Sequence, residues 1–569
     1  MAYRAPVAEF QFILDHVVRL GDVVATDRFS EATPDVTGAI LDGAGRLCDE
    51  VLAPLQRPGD LHPARLENGV VRTSPGYAEG YRAIAEGGWV ALSAPAEHGG
   101  MGLPTTLSTA VNDMMSGACL SLQLNPLLTQ GQIEALSHHA SDEIRALYLP
   151  KLIAGDWSGT MNLTEPQAGS DVGALKTRAV PNDDGTYAVT GQKIYITWGD
   201  ADFMENVVHL VLARLPDAPA GTRGISLFLV PRNLPDAEGR PGVANRVKVV
   251  SLEHKLGLHG SPTAVMDFDG ATGWMVGEPN KGMAAMFTMM NNARLGVGVQ
   301  GVGVAEAAFQ QALAYAAERR QGPTPLGDGG IVGHADVRRM LAGMKAEIFA
   351  ARAIALSCAV AADMGTATGE ADWTARAAFL TPIAKAWGTE VGMEVAQQGV
   401  QVHGGMGFIE ETGAAQYLRD VRVTAIYEGT NGIQAMDLVG RKLADGGDVA
   451  WRLLEEVEQT AEAARGAFPD LAVEVWTAAE ALRDATEWML TREMTDRFAG
   501  AVPFLRAWAR VLGAQLHLAA ALAEGGSGPR SALARVFIRR LLPEHVSALA
   551  AARAGADDLY ALSDADLGA

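Results

Sequence analysis

Apolar positions recur at three- and four-residue intervals through most of the first 157 residues, the spacing of helices with one buried face. "TPDVTGAILDGAGRLCDEVLAPL" opens at Thr33-Pro34 and closes near Pro54, as helix ends do. "PGYAEGYRAIAEGGWVALSAP" reads as a second helix stopped by Gly87-Gly88, and "LPTTLSTAVNDMMSGACLSLQLNP" and "SDEIRALYLPKLIAG" follow beyond a Gly- and Pro-rich loop, "PAEHGGMGLP". After Trp157 the period changes. "TYAVTGQKIYITWG", "NVVHLVLARL", "GISLFLVPR", "NRVKVVSL" and "PTAVMDFDG" are short, β-branched and punctuated by Gly, Pro, Asn and Asp. Strands at such spacing with no helix between them predict an antiparallel barrel or sandwich.

From Met283 the helical period returns in "GMAAMFTMMNNARLGVGVQGVGVAEAAFQQALAYAAERR", "HADVRRMLAGMKAEIFAARAIALSCAVAADMG" and "ARAAFLTPIAKAWGTEVGMEVAQQGVQVHGG". Loops are expected at 321–333 and 366–372. Helices of this length predict a bundle. Gly446-Gly447 mark a further seam, and the Ala-, Leu-, Glu- and Arg-rich stretch beyond it breaks at Phe468-Pro469 and at "EGGSGP", Glu524–Pro529. The expected layout is an N-terminal helical domain with an N-terminal extension (1–157), a middle β-domain (158–280), a C-terminal four-helix bundle (281–445) and an extra helical domain (446–569). Helices and strands kept apart in this way define an α+β, mostly α, fold class.

Composition narrows the function classes. The chain carries 46 basic and 67 acidic residues, net −21, and such a surface disfavours nucleic acid as a partner. The three cysteines, Cys48, Cys119 and Cys358, are far apart and lack metal-ligand spacing, which fits buried thiols in a reducing cytoplasm. The N-terminal "MAYRAPVAEFQFILDHVV" is charged too early for a secretory signal. No uncharged apolar run reaches the ~18 residues of a membrane span; the longest is Ala353–Ala362. No membrane association and no metal site are therefore expected.

Gly296, Gly298 and Gly301 spell GxGxxG in "LGVGVQG", with Glu318 downstream. A dinucleotide fingerprint needs a strand before it and a helix after it. "AAMFTMMNNAR" before it is helical in composition, so these glycines are expected to let two helices approach closely. "MNLTEPQAGSDVGALKTRA", Met161–Ala179, places hydroxyls and glycine between helix and strand. On composition alone it is an ordinary loop with an Asx turn at Asp171. "TAIYEGTNGIQ" sets one carboxylate, Glu428, before a helix that Thr430 or Asn431 can cap. By itself Glu428 fits a helix-dipole partner as well as an active-site base.

Taken together, "LTEPQAGSD" and "IYEGTNGIQ", with "KIYIT" (Lys193–Thr197), "QVHGGMGF" (Gln401–Phe408) and "YLRDVRV" (Tyr417–Val423), resemble in order and spacing the signature segments of the acyl-CoA dehydrogenase family. The resemblance covers about residues 40–445. "YRAPVAEFQFIL", "KLGLHGSPT", the loop "GPTPLGDGGIVGHADVRRM" and the extra C-terminal domain look like the family's long bacterial branch.

The resemblance implies an FAD enzyme that oxidises an acyl-CoA thioester to the trans-2-enoyl-CoA. For this branch, the expected reaction is 3-methylmercaptopropionyl-CoA to methylthioacryloyl-CoA, in dimethylsulfoniopropionate degradation. Ordinary short- or medium-chain acyl-CoA oxidation, an oxygen-using oxidase and a non-catalytic scaffold stand as alternatives. By its match, Glu428 is the base for the α-proton while flavin N5 takes the β-hydride. The Glu428 N–H would help polarise the thioester carbonyl. The matching flavin positions are Met161, Leu163, Thr164, Gly169, Ser170, Tyr195, Thr197 and Thr430. Tyr195 stands where tryptophan is common. Arg319, Gln401, Gly404 and Gly405 match the residues that reach the cofactor of a neighbouring subunit; Arg320, Gln321 and Gly322 depart from the common pattern, as does Gly432, where many members have glutamine. Ser170, Arg294 and Tyr427 match substrate contacts, and Arg294 fits an interhelical ion pair equally well. His403 fits either a flavin neighbour or a satisfied histidine. Electron-transferring flavoprotein is the implied electron acceptor, and the extra domain, covering a face used for tetramer contacts in shorter relatives, implies a homodimer.

Overall fold

A computed structural model describes residues 3–569. It contains two compact units, one of residues 42–296 and one of residues 3–41 with 297–569.

In the first unit the helices Tyr77–Glu86, Thr105–His139 and Asp142–Ala154 follow the predicted periods. Ser141 caps the last by accepting the Ile144 N–H at 3.4 Å, and Gly155, at φ 78°, ends it. Thr105–His139 is broken at Cys119 (φ −157°, ψ 87°) and is buried on nearly every face. β1 (Arg65–Glu67) and β2 (Val70–Arg72) form a hairpin. Its turn is Asn68-Gly69, both at positive φ, the pair a type I′ hairpin requires. This hairpin lies outside the expected pattern because its strands are only three residues each.

The β-domain comprises β3 (Trp157–Asn162), β4 (Arg178–Pro181), β5 (Tyr187–Thr197), β6 (Asn206–Arg214), β7 (Ile225–Pro231), the small hairpin β8 (Asn233–Pro235) and β9 (Pro241–Ala244), β10 (Val247–Leu252) and β11 (Thr263–Val276). The seven-stranded sheet runs β10-β11-β5-β4-β6-β3, and β7 pairs both β11 and β6. β11 achieves this because it is long: Thr263 faces Thr197 of β5, and Trp274 near its far end faces Leu229 of β7. The hydrogen-bonded path thus closes on itself around Ala179, Val189, Val211, Phe228, Met266 and Phe268. β6 and β7 are buried on both faces except for Arg214, which is why they read as unbroken apolar runs. The pairing is antiparallel except that β3 runs parallel to β6, with a single parallel bridge between β4 and β6. β3 gave no strand signal, since "WSGTMN" is small and polar. It is nevertheless buried against helix Thr105–His139, and a Cβ on Gly159 would stand 2.0 Å from Gln132 Oε1.

In the second unit, Ala335–Thr368 and Ala371–His403 pack against each other as a hairpin, and the C-terminal part of Gly282–Glu318 runs parallel to Ala371–His403. Only Gly369, at φ 70°, and Glu370 separate the first two, so the expected 366–372 loop is largely helical. The expected fingerprint glycines are packing residues here: a Cβ on Gly298 would meet Ala384 O at 2.7 Å, and one on Gly301 would meet Gly388 O at 2.2 Å. Helix Ala335–Thr368, whose apolar run is interrupted by charged residues, is long and apolar enough to cross a bilayer by length and composition. With 78% of its most apolar window inside the fold, it is a core helix. The helices Asp448–Ala464, Pro469–Leu490, Ala501–Ala523, Pro529–Arg540 and Glu544–Ala552 build the C-terminal domain, with breaks at the two predicted places. Residues 3–41 join this unit rather than the N-terminal helical domain. Glu9 pairs with Arg530 at 2.9 Å, and Phe10 lies 4.7 Å beneath the Arg352 guanidinium.

Candidate active site

In the first unit, the loop after β3 is fastened from below. The Glu165 carboxylate is 4% exposed and takes hydrogen bonds from Lys193 Nζ (2.8 Å), Thr177 Oγ1 (2.6 Å), Thr177 N (3.0 Å) and Lys176 N (2.7 Å). Burial pushes its pKa up, but the Lys193 charge and these donors outweigh burial and hold it down to about 2. Burial pulls the Lys193 ammonium down to about 8, against the opposing pull of Glu165. Lys193 also donates to Leu163 O (3.0 Å), and Ile194 N donates to Thr164 O (2.9 Å), tying the loop to β5. Met161, Leu163, Thr164, Tyr195 and Thr197 are thereby brought together, with Gly169 and Ser170 exposed at the loop's tip. The predicted Asx turn is present, with Gly173 N donating to Asp171 Oδ1 at 3.0 Å. Tyr195 has φ 61° and is 61% exposed, an outlier of the kind that gathers at functional sites. Arg294 is buried, its guanidinium 5.9 Å from the Phe287 ring centroid.

This surface suits a polar, planar cofactor. The hydroxyls of Thr164, Ser170 and Thr197 make no hydrogen bond to another described residue. A Cβ on Gly169 would meet nothing within 4 Å, so the backbone there is open to approach. The exposed Tyr195 ring supplies an aromatic face.

In the second unit, the Glu428 turn is held by the middle of helix Ala371–His403. Glu428 is half-buried with φ 55°, and Gly429 follows at φ 85°. Lys385, fully buried, donates to Gly429 O at 2.8 Å and to Asn431 Oδ1 at 3.1 Å. Gln434 Nε2 donates to Glu428 O (3.3 Å) and Gly429 O (3.4 Å). Thr430 is the N-cap of helix Asn431–Asp437, accepting Ile433 N at 3.2 Å. Asn431 does not cap: its amide donates to Thr389 Oγ1 (3.1 Å) and Ala386 O (3.3 Å). Tyr427 donates its hydroxyl to buried Gln300 Oε1. Burial first, and then the neighbouring Glu428 charge, pushes the Tyr427 phenol far up.

The remaining predicted residues gather at one end of the bundle. His403 stacks on Tyr315 with centroids 4.5 Å apart and bonds Gly399 O through Nδ1 at 2.7 Å, so its ring is hydrogen-bonded within the fold. That contact draws the exposed Arg319 end of one helix to the exposed Gln401, Gly404 and Gly405 end of the other. Sequence reasoning missed Lys385, Gln434 and the bracing roles of Glu165 and Thr177. A signal for Lys385 existed: it is a lone charge inside the apolar helical stretch "TPIAKAWG", and such a residue is buried only with partners.

The open loop beside the closed β-path lies in one unit, and the carboxylate on its strained turn, braced by a helical bundle, lies in the other. The chain belongs to the acyl-CoA dehydrogenase family. It matches the models "Acyl-CoA dehydrogenase, N-terminal domain" over residues 38–156, "middle domain" over 160–271 and "C-terminal domain" over 280–444. "Acetyl-CoA dehydrogenase C-terminal like" matches residues 453–563. It is 46% identical to the 3-methylmercaptopropionyl-CoA dehydrogenase of Ruegeria pomeroyi over 96% of this chain and 97% of that one. Its fold resembles an acyl-CoA dehydrogenase complexed with FAD from Bacillus anthracis (TM-score 0.74, 22% identity, 100% and 94% of the chains). It also resembles ACDH-11 of Caenorhabditis elegans (TM-score 0.78, 22% identity, 90% and 89%). The protein is an FAD-dependent oxidoreductase acting on acyl-CoA.

Proposed function

We propose that this enzyme oxidises 3-methylmercaptopropionyl-CoA to methylthioacryloyl-CoA, as a step in dimethylsulfoniopropionate degradation, with Glu428 removing the α-proton. The observation that carries the base assignment is the Glu428 turn itself. A non-glycine residue at φ 55° is held there by Gln434 on the Glu428 and Gly429 carbonyls and by Lys385 on the Gly429 carbonyl. Such strain persists where surrounding contacts fix a functional geometry. FAD, when bound, supplies the acceptor for the β-hydride. Thr164, Ser170, Tyr195 and Thr197 would hold it, and Thr430 matches a flavin contact of the family. Arg319, Gln401, Gly404 and Gly405 would serve a second copy's cofactor. The Glu428 N–H stabilises negative charge growing on the thioester oxygen.

The substrate reading is supported by similarity along nearly the whole length to the Ruegeria pomeroyi enzyme. Anaerobic mixing of the FAD-loaded protein with 3-methylmercaptopropionyl-, butyryl- and octanoyl-CoA tests it. The first should bleach the flavin with the highest limiting rate over half-saturating concentration. A clear preference for either fatty acyl-CoA would remove the substrate. We further propose electron-transferring flavoprotein as acceptor, a cytoplasmic location and a homodimer. The exposed Phe408 (88%), Met406 (48%) and Ile409 (44%) beside Gly404-Gly405 support the dimer. A monomer mass in solution would end that part, and rapid reoxidation of the reduced enzyme by air would favour an oxidase instead.

A further inference from the structure

An ion-pair cluster runs from the C-terminal domain to the Glu428 turn. Arg506 and Arg510 lie on helix Ala501–Ala523. Arg506 pairs with Glu390 (3.2 Å), Glu394 (3.2 Å) and Glu544 (2.7 Å). Arg510, almost fully buried, pairs with Glu347 and Glu544 and lies 4.5 Å over the Trp387 ring. Glu390, Trp387 and Lys385 belong to the same stretch of helix Ala371–His403. The Glu390 carboxylate is 12% exposed and pairs with Arg506, and the hydroxyl of its neighbour Thr389 lies 3.2 Å from Asn431 Oδ1. Asn431 is the residue that Lys385 and Thr389 also hold, and Lys385 fixes the Gly429 carbonyl. Helix Asn431–Asp437, which starts from the turn, packs directly on helix Ala501–Ala523.

Resting on the reading of Glu428 as base, we infer that the C-terminal domain sets the position of that base through Arg506, with Glu390, Asn431 and Lys385 as the intervening positioning residues. The physical need is clear. A left-handed glutamate relaxes unless several contacts over-determine the turn, and a misplacement of about 1 Å can cost on the order of a hundredfold in rate. Four carboxylates (Glu347, Glu390, Glu394, Glu544) share two arginines in the cluster. Without Arg506, Glu390 keeps its acidic neighbours and loses its ion-pair partner. The helix stretch that carries Lys385 and Thr389 then loses its tie to the C-terminal domain, and the hold of those two residues on Asn431 and Gly429 slackens.

Arg506→Met and Glu390→Gln in the full-length, FAD-loaded enzyme test this. Both should keep their flavin. The limiting rate of anaerobic flavin reduction by 3-methylmercaptopropionyl-CoA should fall about tenfold or more, with half-saturation within about twofold, the mark of a misplaced group rather than a lost binding contact. Amide hydrogen exchange should quicken at 426–434 and stay unchanged in the β-domain. Arg506→Lys should recover a large part of the rate. If Arg506→Met does not fold, the isosteric Glu390→Gln carries the same readouts. Wild-type reduction rates with unchanged exchange at 426–434 would overturn the inference, even with Glu428→Gln inert. If Glu428→Gln reduces flavin normally, the base reading falls, and the exchange at 426–434 alone decides the bracing.

Discussion

Glu428 and Asn431 sit three residues apart and divide the work of one turn. Read from sequence, both belong to helix-start chemistry, because a carboxylate before a Gly-Thr-Asn-Gly segment satisfies capping rules as readily as catalytic ones. Thr430 does cap, while Asn431 faces Lys385 and Thr389. What lies across the turn, 46 residues earlier at Lys385, has no local signature. Glu165 was likewise present in the "LTEPQAGSD" motif without an assigned role, and its role is electrostatic. Its folded pKa, about 2, lies below its ordinary value of 4.5, so the stability it contributes is present above that ordinary value and is lost as pH falls towards about 2. Thermal melts should therefore lose up to roughly 3 kcal/mol from this carboxylate alone across that acid window. Glu165→Gln should show a flatter melting-temperature profile there, and an unchanged acid limb in that variant would contradict the assignment.

Elements were legible where their period was clean. The long helices, the strands β5, β6, β7, β10 and β11 and the breaks of the C-terminal domain follow from spacing and from Gly and Pro. β3 was not legible, since burial on both faces of a small, polar strand leaves no alternation to detect. The glycines of "LGVGVQG" illustrate why context outranks a motif. They lie inside a helix, with Gly301 against Gly388. Gly301→Ala should destabilise the protein by about 1–3 kcal/mol through helix separation. Gly343→Ala, in a helix with nothing within 4 Å of the added methyl, should instead stabilise it by about 0.5–1 kcal/mol. Urea denaturation of both variants checks the contrast, and equal effects of the same sign would refute the close-packing account.

At the scale of the whole molecule, the succession of helices, β-domain and helices could be read along the chain, and several motifs in order pointed to the family. The home of residues 3–41 could not be read. Their pairing with Arg352 and Arg530 joins positions hundreds of residues apart, and no periodicity records such a contact. The same holds for the route from Arg506 to the Glu428 turn. The proposed function rests on one claim, that Glu428 removes the substrate's α-proton. Its most direct test is anaerobic stopped-flow mixing of Glu428→Gln with 3-methylmercaptopropionyl-CoA. The account predicts a protein that binds FAD and the thioester as the wild type does, with flavin reduction slowed by about a thousandfold or more. Reduction at a rate near that of the wild type would contradict it.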